Sequence, residues 1–556
     1  MTAPLDPRAW LHRPHPDRGI HLASDDQDWE FHSYPDLVGL ARRVAAAMIA
    51  DGVCPGDVVA ILLPTGTQCL AAFFGAWVAG ATPCLITPPS FAHEDEYVGT
   101  AAAILEQAQP ALTVTSPQLA DLTARALDKA GQERQPWLWQ EAGEPAPVAD
   151  AGPDDISLLQ FTSGSSGTPR GVRVSWSNLR HNLAVIRGWL DWRDGDVVAT
   201  WLPLFHDMGL VGTLLTTVVS QGDLWMMRPS QFIRDPGRWL ECLSFASITA
   251  APSFGYDLAA RRVGPERLRG LDFSGMRNAI VGAEPIDPAT LENFARLLGP
   301  FGFAHSSFRT AYGMAEATLA VTAVTCGQVP RAVRPDPATL RFGARVGIEA
   351  DVPLGDPARE PGNGWLVSCG PPGDGVGVAV VDENRAELPP GHLGEIVVTG
   401  ASVTGGYHLG RTASSTRFAG GVLYTGDAGF LRDGELYVLG RMGDSLKVRG
   451  RSVYVEDLEA AVRAATGLPW HKCAVVATAG SGRPGVVLFV ESPPGDWVRL
   501  AREALIGELG PDTDVDVVTG RPGLILRTTS GKTRRRALWE SYQLAGPEPA
   551  APRSAS

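Results

Sequence analysis

The stretch Gln160-Phe161-Thr162-Ser163-Gly164-Ser165-Ser166-Gly167-Thr168-Pro169-Arg170-Gly171 sets five small hydroxyl residues, three glycines and one cation in twelve positions. The apolar run Ile156 to Phe161 leads into it, and Val172-Arg173-Val174 leads out. A loop of this composition can wrap a polyphosphate. Glycines let backbone N–H groups approach closely, hydroxyls donate, and Arg170 brings a permanent charge. It is not a Walker loop: the near match Ser530-Gly531-Lys532-Thr533 has Leu526 where the first glycine belongs. A Ser/Gly-rich loop alone is more often a plain surface connection, so the rest of the chain has to decide.

Working outward, Val58 to Leu63 reads as a buried strand, Gln68 to Val78 as a helix and Pro83 to Ile86 as the next strand. The alternation recurs through Val197 to Leu202, Gly209 to Ser220, Leu224 to Met227 and Ile248 to Ala251. That rhythm predicts a large α/β body with mostly parallel sheets flanked by helices. Ser175 and Ser177 can cap a helix from Asn178 to about Leu190. The Pro/Arg/Asp-rich stretch 327–364 has weak periodicity and reads as an insertion. From Gly394 to Gly440 short strands and turns indicate a β-rich lobe. A smaller α/β unit follows, with Val455 to Ala465 helical and Cys473 to Ala477 and Val486 to Val490 as strands. The expected division is a large domain over 1–440, a small one over 441–545 and a disordered tail over 546–556.

With 556 residues and 44% hydrophobic content the chain can bury extensive cores. A formal charge of −13 argues against bulk binding to nucleic acid or anionic membrane, so an anionic ligand needs a local site. The seven cysteines are scattered without a C-x-x-C pair, which suits reduced thiols. The longest apolar stretch, Cys69 to Ile86, is interrupted by Pro83 and is too short to span a bilayer. The start lacks the apolar core of a secretory signal, and a cytoplasmic location is expected.

Six further segments accompany the loop in order. They are Trp201-Leu-Pro-Leu-Phe-His-Asp-Met-Gly209, Ala251-Pro-Ser-Phe-Gly-Tyr-Asp257, Gly282-Ala283-Glu284-Pro285, Ala311-Tyr312-Gly313-Met314-Ala315-Glu316, Tyr424-Thr-Gly-Asp427 and Gly440-Arg441. Lys532 closes the series in Thr528-Thr-Ser-Gly-Lys532. The set resembles the acyl-adenylate-forming ligases, the superfamily of acyl-CoA synthetases, peptide-synthetase adenylation domains and luciferases. The segments around His206, Phe254 and Tyr312 resemble its fatty-acyl-AMP ligase branch, and the similarity runs from about Asp57 to Leu538.

The resemblance implies a reaction and a role for each position. A carboxylate, a poor electrophile, attacks the α-phosphorus of ATP; pyrophosphate leaves and a mixed anhydride with AMP remains. Such a displacement depends on positioning and charge neutralisation. Thr162, Ser163, Gly164, Ser165, Ser166, Gly167, Thr168 and Arg170 would hold the β- and γ-phosphates, with Arg170 standing where the family commonly has lysine. Glu316 would hold Mg²⁺, a hard ion suited to carboxylate and phosphate oxygens. Gly282, Ala283, Glu284, Pro285, Ala311, Tyr312, Gly313 and Met314 would surround the adenine. Asp427 would accept the ribose hydroxyls, with Arg441 and Lys447 also on the nucleotide. Lys532 would offset transition-state charge. His206, Asp207 and Met208 would border the acyl pocket, joined by Phe254, Gly255 and Tyr256 on its wall and by Gly282 and Gly313. A missing side chain at Gly255 would leave room for the acid. Gly443 and Asp444 occupy the family's hinge, about which the small domain rotates so that a thiol can attack the anhydride.

The acceptor stays open at this point. Gly450-Arg451 and the insertion favour the acyl-AMP branch, whereas Lys447 matches CoA-using members. The expected partners are therefore a hydrophobic carboxylic acid and either a separate holo acyl carrier protein or CoA. The resemblance implies a long-chain fatty acid as the default, and a polycyclic or aryl acid of secondary metabolism fits the same logic. A non-catalytic nucleotide-binding homologue and a luciferase-like oxidase are the rival readings.

Overall fold

Short β-branched and apolar runs separated by helix-length segments leave the chain little choice but to stack parallel strands and cover them. The computed structural model describes residues 5–26, 28–89, 94–162, 169–284, 286–336, 339–359, 365–410, 416–441, 445–448, 451–468, 472–480, 483–511, 513–525, 533, 535, 538–539 and 541–542. Among these the strands form six sheets.

The larger sheet has eight strands, in the order Ala320–Ala323, Phe308–Gly313, Asn278–Val281, Ile248–Ala251, Val197–Thr200, Asp223–Met226, Gly19–Ala23 and Trp29–Ser33. Its six inner strands run parallel; only the two edge strands are antiparallel. This arrangement places four of the segments singled out above. Those at Trp201 and Gly282 each follow directly on one of four adjacent parallel strands, that at Ala251 starts on the last residue of another, and that at Ala311 starts within the end of the remaining one. Parallel strands end at the same edge, so all four segments emerge side by side, where open α/β sheets bind ligands.

A second sheet orders Trp137–Leu138, Leu112–Thr115, Val58–Leu62, Thr82–Leu85, Ile156–Thr162 and Arg170–Ser175. It is parallel except for the last pair, a hairpin carrying the Ser/Gly-rich loop at its tip. The apolar stretch divides at Pro83 as expected, into the buried helix Thr67–Val78 and the strand Thr82–Leu85. Among the described residues no helix is long and apolar enough to cross a membrane.

Three readings need correction. The helix after the hairpin is Trp176–Leu190, beginning two residues before Asn178. Ser175 alone caps it: its hydroxyl accepts from Asn178 N at 3.1 Å while Asn178 Oδ1 accepts from Ser175 N, a reciprocal box that places Ser177 inside the first turn. The 327–364 stretch is not without regular structure. Arg331–Pro335 pairs antiparallel with Ile348–Pro353 and with Leu366–Val367. The β-rich sheet also starts earlier than Gly394, at Val376–Val381, which pairs with Gly394–Gly400.

Towards the C-terminus, Cys473–Gly480, Arg483–Val490 and Asp514–Thr519 form a three-stranded sheet packed against helices Val455–Thr466 and Trp497–Leu509. Val455, Leu458, Val462, Val475, Leu488 and Leu505 fill the space between them. The strands extend beyond the spans read from sequence, and the second helix and third strand were not read there at all. Gly443, Asp444, Lys532 and the tail lie outside the described residues.

Candidate active site

The hairpin fixes the two ends of its loop. Thr162 stands opposite Arg170 in register, so the two strand ends that flank the loop are held side by side. Ser163, Gly164, Ser165, Ser166, Gly167 and Thr168 lie outside the described residues. Two glutamines brace the hairpin. The Gln107 side-chain amide donates to the Pro169 carbonyl, and Gln160 Nε2 donates to the Phe205 carbonyl at 2.6 Å. The second contact ties the hairpin to the segment that carries His206.

Glu316 sits in the 3₁₀ turn Ala315–Ala317, directly after the strand Phe308–Gly313. The backbone folds back tightly enough that a β-carbon on Gly313 would collide with the Leu319 carbonyl, so only glycine fits there. Glu316 is 5% exposed. The Tyr407 hydroxyl donates to its Oε1 at 2.6 Å, and its other oxygen takes no hydrogen bond among the described residues. Burial, followed by the neighbouring Glu316 carboxylate, pushes the Tyr407 hydroxyl well above the usual phenol range, so it stays a donor. A buried carboxylate with one oxygen held and the other uncommitted fits a hard divalent cation that draws its remaining oxygens from phosphate and water.

The same tyrosine reaches the hairpin. The Arg170 guanidinium carbon lies 5.9 Å from the Tyr407 ring centroid, within cation–π range. Val172 bridges Tyr407 in antiparallel fashion, and Arg173 N donates to the Gly406 carbonyl at 3.1 Å. Thr404 N donates to the Glu316 carbonyl at 2.9 Å. One segment, 404–407, thus holds the base of the loop and the acidic turn together.

Four positions before Glu316, the Tyr312 hydroxyl donates to Oδ2 of Asp427 at 2.6 Å. Asp427 N donates to the Thr425 hydroxyl at 3.0 Å, and that hydroxyl donates to the Ile396 carbonyl at 2.7 Å. Buried Glu395 accepts from Gly426 N and from Arg417, each at 3.0 Å. Burial raises the Glu395 carboxyl above its ordinary value, while Arg417 and the Gly426 N–H pull it down. Asp427 faces Arg441 across the strand pair. Ala311 and Met314 flank the Tyr312–Gly313 bend, and Tyr312's hydroxyl is also 3.8 Å from Met314 Sδ. Gly282 approaches the Ala311 carbonyl at the end of the neighbouring strand. Ala283 adopts φ +66°, a strained setting for alanine. Glu284 Oε1 accepts from Phe254 N at 2.7 Å, tying this bend to the first turn of helix Ser253–Arg262. Pro285 lies outside the described residues.

The residues expected at the acyl pocket divide. His206, Asp207 and Met208 follow the strand Val197–Thr200 and lead into a π-helical turn, Met208–Leu215, a widened geometry frequent at functional sites. Asp207 Oδ1 accepts from Met208 N at 2.8 Å. Phe254, 38% exposed, meets Trp201 edge-on at 5.5 Å. Gly255 and Tyr256 depart from expectation. A β-carbon on Gly255 would lie 2.5 Å from Trp201 Cζ2, so the missing side chain makes way for that indole. Trp201 in turn stacks on Phe232 at 4.0 Å. Tyr256 is fully buried, packed among Trp239, Phe294 and Phe308, with its hydroxyl donating to the Ile280 carbonyl at 2.8 Å. It belongs to the core, because a polar tip with a satisfied bond can be buried there.

The described residues therefore join Arg170 and Glu316 through Tyr407, and Tyr312 to Asp427, with Glu284 and the His206 segment on the neighbouring strand ends. Lys532, Gly443 and Asp444 lie outside the described residues; Arg441 and Lys447 are described only as members of strands Glu435–Arg441 and Ser445–Val448. Gln107, Gln160, Glu395 and Tyr407 escaped the sequence reading. For Tyr407 the signal was present, an aromatic after the Gly405-Gly406 pair, but nothing in sequence ties that pair to Glu316.

Residues 10–408 match the AMP-binding enzyme family. A long-chain-fatty-acid–AMP ligase of Mycobacterium marinum, FadD26, is 32% identical over 94% of this chain and 94% of its own. A medium-chain-fatty-acid–[acyl-carrier-protein] ligase of Moorena producens, JamA, is 31% identical over 93% of this chain and 90% of its own. A structure from work on fatty acyl-adenylate ligases of E. coli and L. pneumophila superposes with a TM-score of 0.73 at 28% identity, covering 98% of both chains.

Proposed function

This chain belongs to the AMP-binding enzyme family, and we propose that it is an ATP-dependent ligase that adenylates a hydrophobic carboxylic acid and passes the acyl group to a phosphopantetheine thiol on a separate carrier protein. The observation that carries this reading is the meeting of Arg170 and Glu316 on either side of Tyr407, next to the Tyr312–Asp427 pair.

In the first half-reaction an acid oxygen attacks the α-phosphorus, the bond to pyrophosphate breaks, and acyl-AMP forms. Arg170 and the hydroxyls and N–H groups of the loop neutralise the departing pyrophosphate. Asp427 takes the ribose hydroxyls, while Tyr312 and the Gly282–Glu284 bend embrace the adenine. Mg²⁺, held by Glu316, would supply charge neutralisation between the phosphates. Lys532 is assigned to the α-phosphate and the acid. His206 and Phe254 border the acid, with Trp201 behind them. In the second half-reaction the thiol sulfur attacks the acyl carbonyl, a thioester forms and AMP leaves.

We assign the small domain to 441–545, with Gly443 and Asp444 as its hinge. The seven free thiols support a reducing, cytoplasmic setting. Pyrophosphate exchange across a panel of acids, followed by acceptor trials with CoA and with holo carrier protein, tests the whole proposal. Lys447 favours a second reading, direct formation of the CoA thioester. Release of acyl-CoA by the purified chain, at a rate matching transfer to carrier, would support that reading instead.

A further inference from the structure

Tyr407 has no role in the reaction just described, yet it is the residue through which two of its charged groups meet. Its ring is buried, with Phe418 edge-on at 5.6 Å, and a phenylalanine would fill that space as well. The hydroxyl therefore needs its own explanation. It donates to Oε1 of Glu316 at 2.6 Å. The ring face meets the Arg170 guanidinium at 5.9 Å. Glu316 makes no ion pair with Arg170.

An aromatic ring has a negative face and, in tyrosine, a positive O–H edge. Tyr407 offers the face to the cation and the edge to the anion. Without it, two buried groups of opposite charge, a guanidinium and a carboxylate, would attract each other strongly. The Glu316 carboxylate would then be neutralised before a cation arrived. The backbone bridge between Tyr407 and Val172, and the Thr404 N–H on the Glu316 carbonyl, fix the spacing from both sides.

We infer that Tyr407 is a positioning residue that keeps Arg170 and Glu316 apart and leaves one Glu316 oxygen turned to the cation that accompanies ATP. This rests on the reading of Glu316 as the Mg²⁺ carboxylate. It adds a determinant of metal affinity outside the ordered segments recognised in sequence.

Binding, with no turnover, supplies the test. Mn²⁺ is titrated into the full chain with ATP and no acid, and bound metal is followed by loss of the free-ion paramagnetic signal. Tyr407→Phe keeps the ring and loses the hydroxyl; it should weaken Mn²⁺ about 10-fold, with metal-free ATP affinity in EDTA within about 2-fold of wild type. Tyr407→Leu loses the spacer too and should weaken Mn²⁺ further. Glu316→Asp, which withdraws the carboxylate by one methylene, should weaken it about as much as Tyr407→Phe. Mn²⁺ binding equal to wild type in both tyrosine variants, with Glu316→Gln abolishing it, overturns the role of Tyr407 and leaves Glu316's role standing. Unchanged binding in Glu316→Gln overturns both.

Discussion

The hydroxyl of Tyr312 and Oδ2 of Asp427 lie 2.6 Å apart, joining a strand end of the eight-stranded sheet to the β-rich sheet. The residue assigned to adenine and the residue assigned to ribose are therefore one hydrogen-bonded unit. Tyr312→Phe removes the donor and keeps the ring. A hydrogen bond to a charged group contributes about 2 kcal/mol, so KM for ATP should rise roughly 10- to 30-fold with a smaller change in kcat. Steady-state exchange at varied ATP checks this.

Asp427→Ala removes the proposed ribose acceptor. Wild type should favour ATP over 2′-deoxy-ATP, and the variant should treat the two alike. Comparing kcat/KM for both nucleotides tests the assignment, because a merely structural Asp427 would lower both equally.

Tyr256→Phe distinguishes core from pocket. Losing the buried bond to Ile280 should cost about 1 kcal/mol of stability. The ranking of acids should stay the same. A changed ranking at unchanged unfolding temperature would return Tyr256 to the pocket wall.

Much of this architecture can be read from the chain because apolar residues recur at strand and helix spacing. Thr67–Val78 and Val455–Thr466 are examples. The strand pair within 327–364 was hidden because charge replaces hydrophobicity across it. Arg331 pairs with Asp351 at 2.7 Å and Arg334 with Glu349 at 3.0 Å, so its alternation looks like a polar loop. Gly255 misled for a related reason: the space it vacates is filled by Trp201, 54 positions away in sequence. Tyr407 and Glu395 are legible only in three dimensions, since what identifies each is its partner.

Glu395 makes stability depend on pH. Burial raises its folded carboxyl above the unfolded value, so the folded state holds the proton more tightly. Its contribution favours folding fully below the unfolded pKa and is lost as pH rises through the folded one. Glu395→Gln cannot titrate. Relative to wild type, the variant should gain unfolding temperature as pH rises from about 4.5 across that window. Thermal melts of both proteins across mildly acidic pH check the sign; a difference that does not vary with pH contradicts it.

The most direct measurement of the central claim is acid-dependent exchange of labelled pyrophosphate into ATP by the purified full chain, across fatty, aryl and polycyclic acids. Exchange should appear only with a hydrophobic acid present, stop on chelation with EDTA, return with Mg²⁺ and fall by about two orders of magnitude in Lys532→Ala with ATP binding retained. No exchange with any acid offered, or full exchange in the lysine variant, would contradict the account.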